Sequence, residues 1–302
     1  MNRWISSELF AAFEAGQTTA HRLFTSNQAW VERLGPDVLI SFKAEAALES
    51  AIAGLREWEI RTGFRAARIF SRFLPRQNAE RVAPVLVEGD SAASLTTVVT
   101  ECGVRFAIDF AAGYAGGLFI DQRANRMALR QLAPRRLLNT FAYTCSFSVV
   151  AALAGAETVS VDLSRKSLDR GRENFGLNGL PAGGHRFLAD DVLEVIPRLE
   201  RQGEKFDAII LDPPTFSRGN AGRRWQVEHD LEDLVLAALE LATPNAAVLI
   251  STNCTRLDRR ALERIARFSL KSLRRGGDVH EEPTLPDFPP GAGAQTLWLR
   301  LR

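Results

Sequence analysis

Residues 206–216 read FDAIILDPPTF, an apolar run that ends at an acidic residue followed by two prolines. The run of Ala, Ile, Ile and Leu predicts a buried β-strand. Because proline has a fixed φ and no amide hydrogen, the pair ends this strand in a rigid turn. Phe216 then offers a flat face to a planar ligand, although a rigid connecting turn is the simpler alternative. The candidate catalytic residues are Asp212, Pro213, Pro214 and Phe216.

Strand and helix signals alternate on both sides of this motif. Such alternation predicts an α/β fold with a doubly wound, seven-stranded, mostly parallel Rossmann-like sheet, whose ligand lies at the carboxyl ends of the strands. The predicted strands are 136–140, 158–161, 185–188, 206–211 and 246–252, with two more near Val279 and Leu297. The predicted helices start near residues 146, 164, 191, 227 and 258.

The first part of the chain shows a different pattern. Apolar residues recur at helical spacings over residues 7–58, with a Gly35-Pro36 breaker, and residues 94–100 and 104–110 predict a β-hairpin. We therefore expect a smaller N-terminal α+β region. Its parts are a helical region over residues 1–93 and a hairpin bridge over residues 94–120, and the α/β domain takes residues 121–302.

Composition excludes several classes of protein. A chain of 302 residues with 46% hydrophobic and 25% charged residues can bury a full core. Three widely spaced cysteines predict neither a disulfide framework nor a metal site. Glu8 and Glu14 interrupt any signal-peptide core, so a cytoplasmic protein without a membrane segment is expected. The net charge of +2 is too small to indicate a polyanion partner by itself.

Two strand ends beside the motif predict a cofactor site. Asp162 ends the second strand, where a carboxylate can accept hydrogen bonds from both ribose hydroxyls or cap the next helix. Asp190 or Asp191 follows the third strand and could accept from an adenine amino group, the other being the helix cap. The loop 141–145 contains no glycine, which argues against a dinucleotide fingerprint.

At these residues the chain resembles the bacterial large-subunit ribosomal RNA methyltransferases of types I and K. The resemblance spans about residues 104 to 255 and is specific as a set of motifs. It is carried by GLFIDQR at 117–123, LNTFAYT at 138–144, VSVD at 159–162, NFGLNG at 174–179, DDV at 190–192 and the stretch at 206–216.

The resemblance implies S-adenosylmethionine as the methyl donor and an RNA base as the acceptor. Relatives usually carry glycine where this chain has Cys145, and no N-terminal RNA-binding module of the type I kind is recognisable. A small-molecule methyltransferase and a catalytically silent RNA-binding relative are the alternatives. The candidate cofactor-binding residues are Asp121, Arg123, Asn139, Phe141, Tyr143, Thr144, Asp162, Leu163, Asp190 and Asp191.

The acceptor base has two candidate chemistries. Cytosine C5 needs a thiolate that adds to C6, and Cys254, which follows the fifth strand, resembles the cysteine of the type I enzymes in position. The continuation Thr215-Phe216-Ser217 instead resembles the type K guanine enzymes, in which direct transfer to nitrogen needs no thiol. A buried structural cysteine is the alternative for Cys254.

Arginines give two candidate RNA contacts. Arg61, Arg65, Arg68 and Arg72 recur at helical spacing, continue at Arg76, and predict one cationic stripe, or else a solvated helix face. The loop 217–225 combines glycines and an aromatic residue with Arg218, Arg223 and Arg224, and predicts a segment that closes over the substrate, or else an ordinary loop.

Overall fold

A computed structural model describes residues 3–74, 82–181, 183–218 and 224–302. The chain forms two compact units, one of residues 1–123 with 284–290 and the other of residues 124–283 with 291–302. Within the described ranges, no helix is long and apolar enough to cross a membrane.

The N-terminal unit is built on a six-stranded sheet of order β1-β2-β3-β4-β5-β6, in which only β4 and β5 run parallel. A separate hairpin of β7 and β8 and a short 3-10 helix at Ile120–Gln122 complete it. The elements are β1 (Arg3–Trp4), α1 (Ser7–Ala15), β2 (Ala20–Thr25), β3 (Ala29–Leu34), β4 (Asp37–Phe42), α2 (Glu45–Thr62), β5 (Ile69–Phe73), β6 (Val85–Glu88), β7 (Thr96–Glu101) and β8 (Val104–Asp109).

The prediction of a helical region over residues 7–58 is wrong for its central part, where the structure has β2, β3 and β4. Each of these strands pairs with its neighbours, and every residue of β4 is buried. Tertiary pairing of short strands overrides the weak helical periodicity of their sequence. The hairpin predicted over residues 94–110 is present as β7 and β8.

The C-terminal unit has the seven-stranded sheet expected from the sequence. Its order is β11-β10-β9-β12-β15-β17-β16, with the first five strands parallel and β17 antiparallel to both of its neighbours. The strands are β9 (Arg136–Thr140), β10 (Glu157–Asp162), β11 (Arg186–Ala189), β12 (Phe206–Leu211), β15 (Ala242–Thr252), β16 (Gly277–His280) and β17 (Gln295–Leu301), and a small hairpin joins β13 (Phe216–Arg218) to β14 (Arg224–Gln226).

Helices accompany this sheet in the described part of the chain, and those between its parallel strands are the crossovers that parallel pairing needs. The apolar residues of β9, β12 and β15 are almost fully buried, and α6, α7 and α8 pack their apolar faces into one core cluster with them. The helices are α3 (Arg123–Leu132), α4 (Ser146–Leu153), α5 (Arg165–Leu177), α6 (Val192–Arg201), α7 (Val227–Glu240) and α8 (Arg259–Ser272).

Candidate functional site

The carboxyl edge of the sheet aligns two acidic residues on either side of β9. Thr140 is the register partner of Val161 in β10 and of Leu211 in β12. Asp162 and Asp212 therefore each follow directly after the residue that pairs with Thr140. With one strand between them, their backbones lie about 10 Å apart. The reversal of strand order on either side of β9 makes this edge the crevice in which doubly wound sheets bind ligands.

The Asp162 carboxylate holds the loop that follows β9. One oxygen accepts from the Tyr143 amide at 2.8 Å, and the other accepts from the Ser164 amide at 2.8 Å. Burial raises the pKa of this carboxyl group, and the two amide hydrogen bonds counteract that effect. Each oxygen keeps a second acceptor position, so the carboxylate can also accept from a pair of hydroxyls. Ser164 caps α5 with its own side chain, so Asp162 is not the cap of that helix.

The loop 141–145 contains three non-glycine residues with positive φ: Phe141 at 51°, Tyr143 at 48° and Cys145 at 59°. This region of conformational space favours glycine, and a side chain there costs about 1 kcal/mol or more. The absence of glycine from this loop therefore does not make it an ordinary turn. The loop resembles a glycine-rich loop in conformation and leads into the first turn of α4.

The two acids after β11 have separate contacts. Asp191 is the N-cap of α6, and its carboxylate accepts from the Leu193 amide at 3.0 Å. Asp190 pairs with Arg198 at 3.0 Å and lines an open cavity of about 200 Å³ beside β11. The geometry thus separates the alternatives, with Asp191 as the cap and Asp190 as the candidate ligand.

Of three other predicted cofactor residues, two are held by internal hydrogen bonds and one is exposed. Asn139 is buried within β9, and its amide donates to the Ser148 hydroxyl at 2.9 Å. Thr144 is also buried, and its carbonyl accepts from the Asn174 side chain. Leu163 is half-exposed directly after Asp162, where an apolar side chain could pack on a planar ring.

Asp121 and Arg123 lie in the N-terminal unit. Arg123 is buried, donates to the Ala20 carbonyl at 3.1 Å and forms an ion pair with Asp287 of the same unit. These contacts make Arg123 a structural residue of that unit. Cofactor roles for Asp121 and Arg123 remain predictions.

The turn after β12 is fixed by Trp225, the aromatic residue at the end of the predicted loop 217–225. Trp225, buried in β14, donates its indole N–H to the Pro214 carbonyl at 2.8 Å, and its ring centroid lies 5.8 Å from that of Phe141. The Pro214 carbonyl is therefore paired within the protein. Phe216 is 58% exposed and leaves a flat face open to solvent. The sequence marks Trp225 as the aromatic residue of the loop 217–225, and its hydrogen bond to Pro214 is seen only in the structure.

Cys254 lies two residues beyond the end of β15, the strand next to β12. Its side chain is 4% exposed and belongs to the apolar core cluster. Its Sγ lies 3.7 Å from the Glu228 carboxylate, within reach of a thiol hydrogen bond. Glu228 in turn pairs with Arg256 at 3.3 Å.

The predicted arginine stripe on a helix is wrong. α2 ends at Thr62 with Gly63 at φ 75°, and β5 begins at Ile69, so the four arginines do not share one helix. Arg68 is buried and makes paired hydrogen bonds to Asp37 of 2.9 and 2.6 Å. Arg72 donates to Ser41 and to the Tyr114 carbonyl.

Several of the other arginines predicted to contact RNA lie at the surface, and two lie outside the described residues. Arg61 is exposed at the end of α2, and Arg65 follows that helix with an exposed side chain. Arg224 is exposed in β14, and Arg218 lies in β13. Arg76 and Arg223 lie outside the described residues.

Comparison with known proteins identifies relatives of this chain. The type I ribosomal RNA large subunit methyltransferase of Klebsiella pneumoniae (strain 342) is 37% identical over 161 residues, which are 53% of this chain and 40% of that protein. A putative ribosomal RNA large subunit methyltransferase, YwbD of Bacillus subtilis (strain 168), is 32% identical over 204 residues, 64% of this chain and 51% of that protein. The matched part of the chain thus spans about 40 to 51% of the length of these relatives.

A solved structure agrees with the fold over nearly the whole chain. SMU.776, a putative methyltransferase complexed with SAH, superposes with a TM-score of 0.82 at 23% identity, over 97% of this chain and 79% of that one. The family described as S-adenosylmethionine-dependent methyltransferase matches residues 54–300. The cofactor of the family is S-adenosylmethionine, and this chain belongs to the S-adenosylmethionine-dependent methyltransferase family.

Proposed function

We propose that this protein methylates a base of large-subunit ribosomal RNA, with S-adenosylmethionine as donor. The observation that carries the proposal is the alignment of Asp162 and Asp212 one residue beyond Thr140, with Phe216 exposed just beyond Asp212. The names of the relatives support a ribosomal RNA substrate, and the SAH bound to SMU.776 supports a donor site on this fold. We further propose that the protein acts in the cytoplasm, as expected from its sequence.

The donor supplies an electrophilic methyl group on a sulfonium centre. In the proposal, the free acceptor positions of the Asp162 carboxylate bind the ribose hydroxyls, and Leu163 packs against the adenine. Asp190, which does not cap α6, accepts from the adenine amino group. The start of α4, which follows the loop 141–145, faces the methionine end of the donor, where a helix N-terminus favours a carboxylate.

The acceptor base stacks on Phe216 and is held by the Asp212 side of the crevice. An exposed aromatic side chain suits this role because stacking tolerates any base. The rigid Pro213-Pro214 turn, fixed by the hydrogen bond from Trp225 to Pro214, holds Asp212 and Phe216 in a constant relation.

For the acceptor atom we propose cytosine C5, with Cys254 as nucleophile. Glu228 accepts the thiol proton, the thiolate adds to C6, and C5 attacks the methyl group. A water molecule then takes the C5 proton, the C5–H electron pair restores the C5–C6 double bond, and the C6–S bond breaks to release the thiolate. The 3.7 Å distance from Sγ to the Glu228 carboxylate supports this reaction.

The burial of Cys254 favours a second candidate, direct transfer to a guanine nitrogen. A cysteine packed in an apolar cluster is commonly structural, and a nitrogen acceptor needs no thiol. The two candidates differ in whether Cys254 is required.

The experiment measures transfer of tritiated methyl from S-adenosylmethionine to ribosomal RNA isolated from a strain without the gene. We expect transfer by the wild-type protein, loss of transfer in Asp212→Asn, and 5-methylcytosine as the labelled nucleoside by mass spectrometry. Cys254→Ala should lose transfer and keep donor binding in calorimetry. Full transfer by Cys254→Ala would exclude cytosine C5, and absence of transfer to any RNA by the wild-type protein would exclude the proposed substrate.

A further inference from the structure

Cationic side chains are concentrated in one segment of the C-terminal unit. Residues 256–275 contain eight arginines and lysines and two acids, a net charge of +6, although the whole chain carries only +2. This segment contains α8, which extends from Arg259 to Ser272. The rest of the chain is therefore net negative, and the excess positive charge belongs to this segment.

Four of the cations form a stripe along the outer face of α8. Arg260, Arg264, Arg267 and Lys271 follow one another at spacings of four, three and four residues, so they share one face of the helix. All four are exposed. The opposite face is buried in the core of the unit through Ala261, Leu262, Ala266 and Leu270. We name the four residues the α8 stripe.

Most of the α8 stripe lacks an acidic partner. Arg267 pairs with Glu263 at 2.7 Å, but no acid in the described part of the chain lies within ion-pair distance of Arg260, Arg264 or Lys271. Arg275, in the same segment, instead donates to the Leu239 carbonyl at 2.7 Å. Three neighbouring unneutralised cations repel one another, and a polyanion on this face would remove the repulsion.

The α8 stripe begins at the edge that holds the candidate site. β15 ends at Thr252, Cys254 follows, and Asp258 caps α8 on the same side of the sheet. From Arg260 to Lys271 the helix rises about 16 Å. Phe268, 49% exposed, lies between the cations on this surface and offers a ring to an unpaired base.

We propose that the α8 stripe binds the phosphate backbone of the RNA substrate, with Phe268 stacking on one of its bases. The inference rests on the proposed function and adds the surface that holds RNA next to the site. It assigns the phosphate contact to α8, in place of the stripe expected at residues 61–72.

The test measures binding of a fluorescein-labelled single-stranded RNA of mixed sequence by fluorescence anisotropy at several salt concentrations. In Arg264→Gln with Lys271→Gln, loss of two phosphate contacts lowers the slope of log affinity against log salt by about 1.4. Affinity falls roughly 25-fold at 0.1 M salt and approaches that of the wild type near 1 M. Phe268→Ala weakens binding and leaves the slope unchanged, because stacking releases no counterions.

The matched control is Arg61→Gln with Arg65→Gln, which removes the same charge from exposed positions outside α8 and should leave the slope unchanged. Unfolding midpoints and donor binding by calorimetry verify that every variant is folded. An unchanged slope in the α8 variant, an equal decrease in both double variants, or binding to anionic lipid vesicles without binding to RNA would overturn the proposal. If RNA binding depends on the α8 stripe but methyl transfer to RNA is absent, the proposed function fails and this inference stands.

Discussion

The Cys145 side chain fits only because Gly171, which lies against it, has no side chain. A Cβ at Gly171 would lie 2.5 Å from Cys145 Sγ and 3.0 Å from its Cβ. Gly171→Ala should therefore destabilise the protein by about 1 to 3 kcal/mol through overpacking. In a Cys145→Gly background the same change should stabilise it by up to about 1 kcal/mol, the usual gain of alanine over glycine within a helix. Urea unfolding of the four variants measures this reversal, and equal effects in both backgrounds would contradict it.

The Cys145 thiol, in the loop 141–145, is buried and is not a reactive group. Burial raises its pKa to about 12, so the thiolate is scarce at neutral pH. Its backbone stands at φ 59° as the N-cap of α4 without a side-chain cap hydrogen bond. A cysteine is thus tolerated at this position, whose positive φ favours glycine, because Gly171 of α5 leaves space for its side chain.

His21 makes the stability of the N-terminal unit depend on pH. Burial, with Arg33 and Arg123 nearby, lowers its pKa from 6.5 to about 3, while its ring stacks on Phe13. Between these values the unfolded chain binds a proton that the folded chain does not, so stability decreases as the pH falls below 6.5. His21→Phe should reduce this decrease by up to about 1.4 kcal/mol per pH unit. Urea unfolding at several pH values between about 7 and 5 measures it, and parallel curves for both proteins would contradict it.

At the scale of elements, the start of α6 separates the two acids after β11. Asp191→Ala should lower the free energy of unfolding by about 1 kcal/mol, because the Leu193 amide loses its cap, and leave donor affinity unchanged. Asp190→Ala should weaken donor binding by about tenfold or more, since a hydrogen bond to a charged group is lost. Calorimetric titration with S-adenosylmethionine and urea unfolding of both variants distinguish these effects. If Asp191→Ala weakened donor binding and Asp190→Ala lowered only the free energy of unfolding, the two roles would be exchanged.

Elements of the seven-stranded sheet could be predicted because each is a short apolar run bounded by polar turns. The positions predicted for β9, β12 and α5 agree with the structure to within one or two residues. Asp162 and Asp212 could also be predicted, because strand order alone aligns the ends of β10 and β12. Local sequence is sufficient where a strand is buried on both faces.

Other features depend on contacts between distant parts of the chain. β2, β3 and β4 are strands because they pair with one another, and their residues alone read as helical. Arg68 was expected at the surface, but Asp37, on the neighbouring strand β4, neutralises it inside the sheet. The hydrogen bond from Trp225 to Pro214 likewise joins residues whose relation appears only when β13 and β14 form their hairpin.

At the scale of the molecule, the N-terminal unit needs a segment that the chain supplies far from the N-terminus. Residues 284–290 belong to this unit, and Asp287 within them pairs with Arg123 and accepts from the Arg22 amide at 2.8 Å. Both side chains of the Asp287–Arg123 pair are almost completely buried, so removal of one partner leaves an uncompensated charge. The unit is therefore discontinuous in sequence, whereas the predicted N-terminal region was one continuous segment of residues 1–120.

Asp287→Ala should cost about 3 to 5 kcal/mol of unfolding free energy, the usual effect of breaking a buried ion pair. Asp287→Leu combined with Arg123→Met should recover most of this loss, because no buried charge then remains unpaired. The control is Asp278→Ala, which breaks the exposed pair with Arg302 and should leave the unfolding curve nearly unchanged. Urea unfolding followed by tryptophan fluorescence measures all three variants. If Asp287→Ala behaved like the Asp278 control, the segment would be a passive loop and the N-terminal unit would be complete without it.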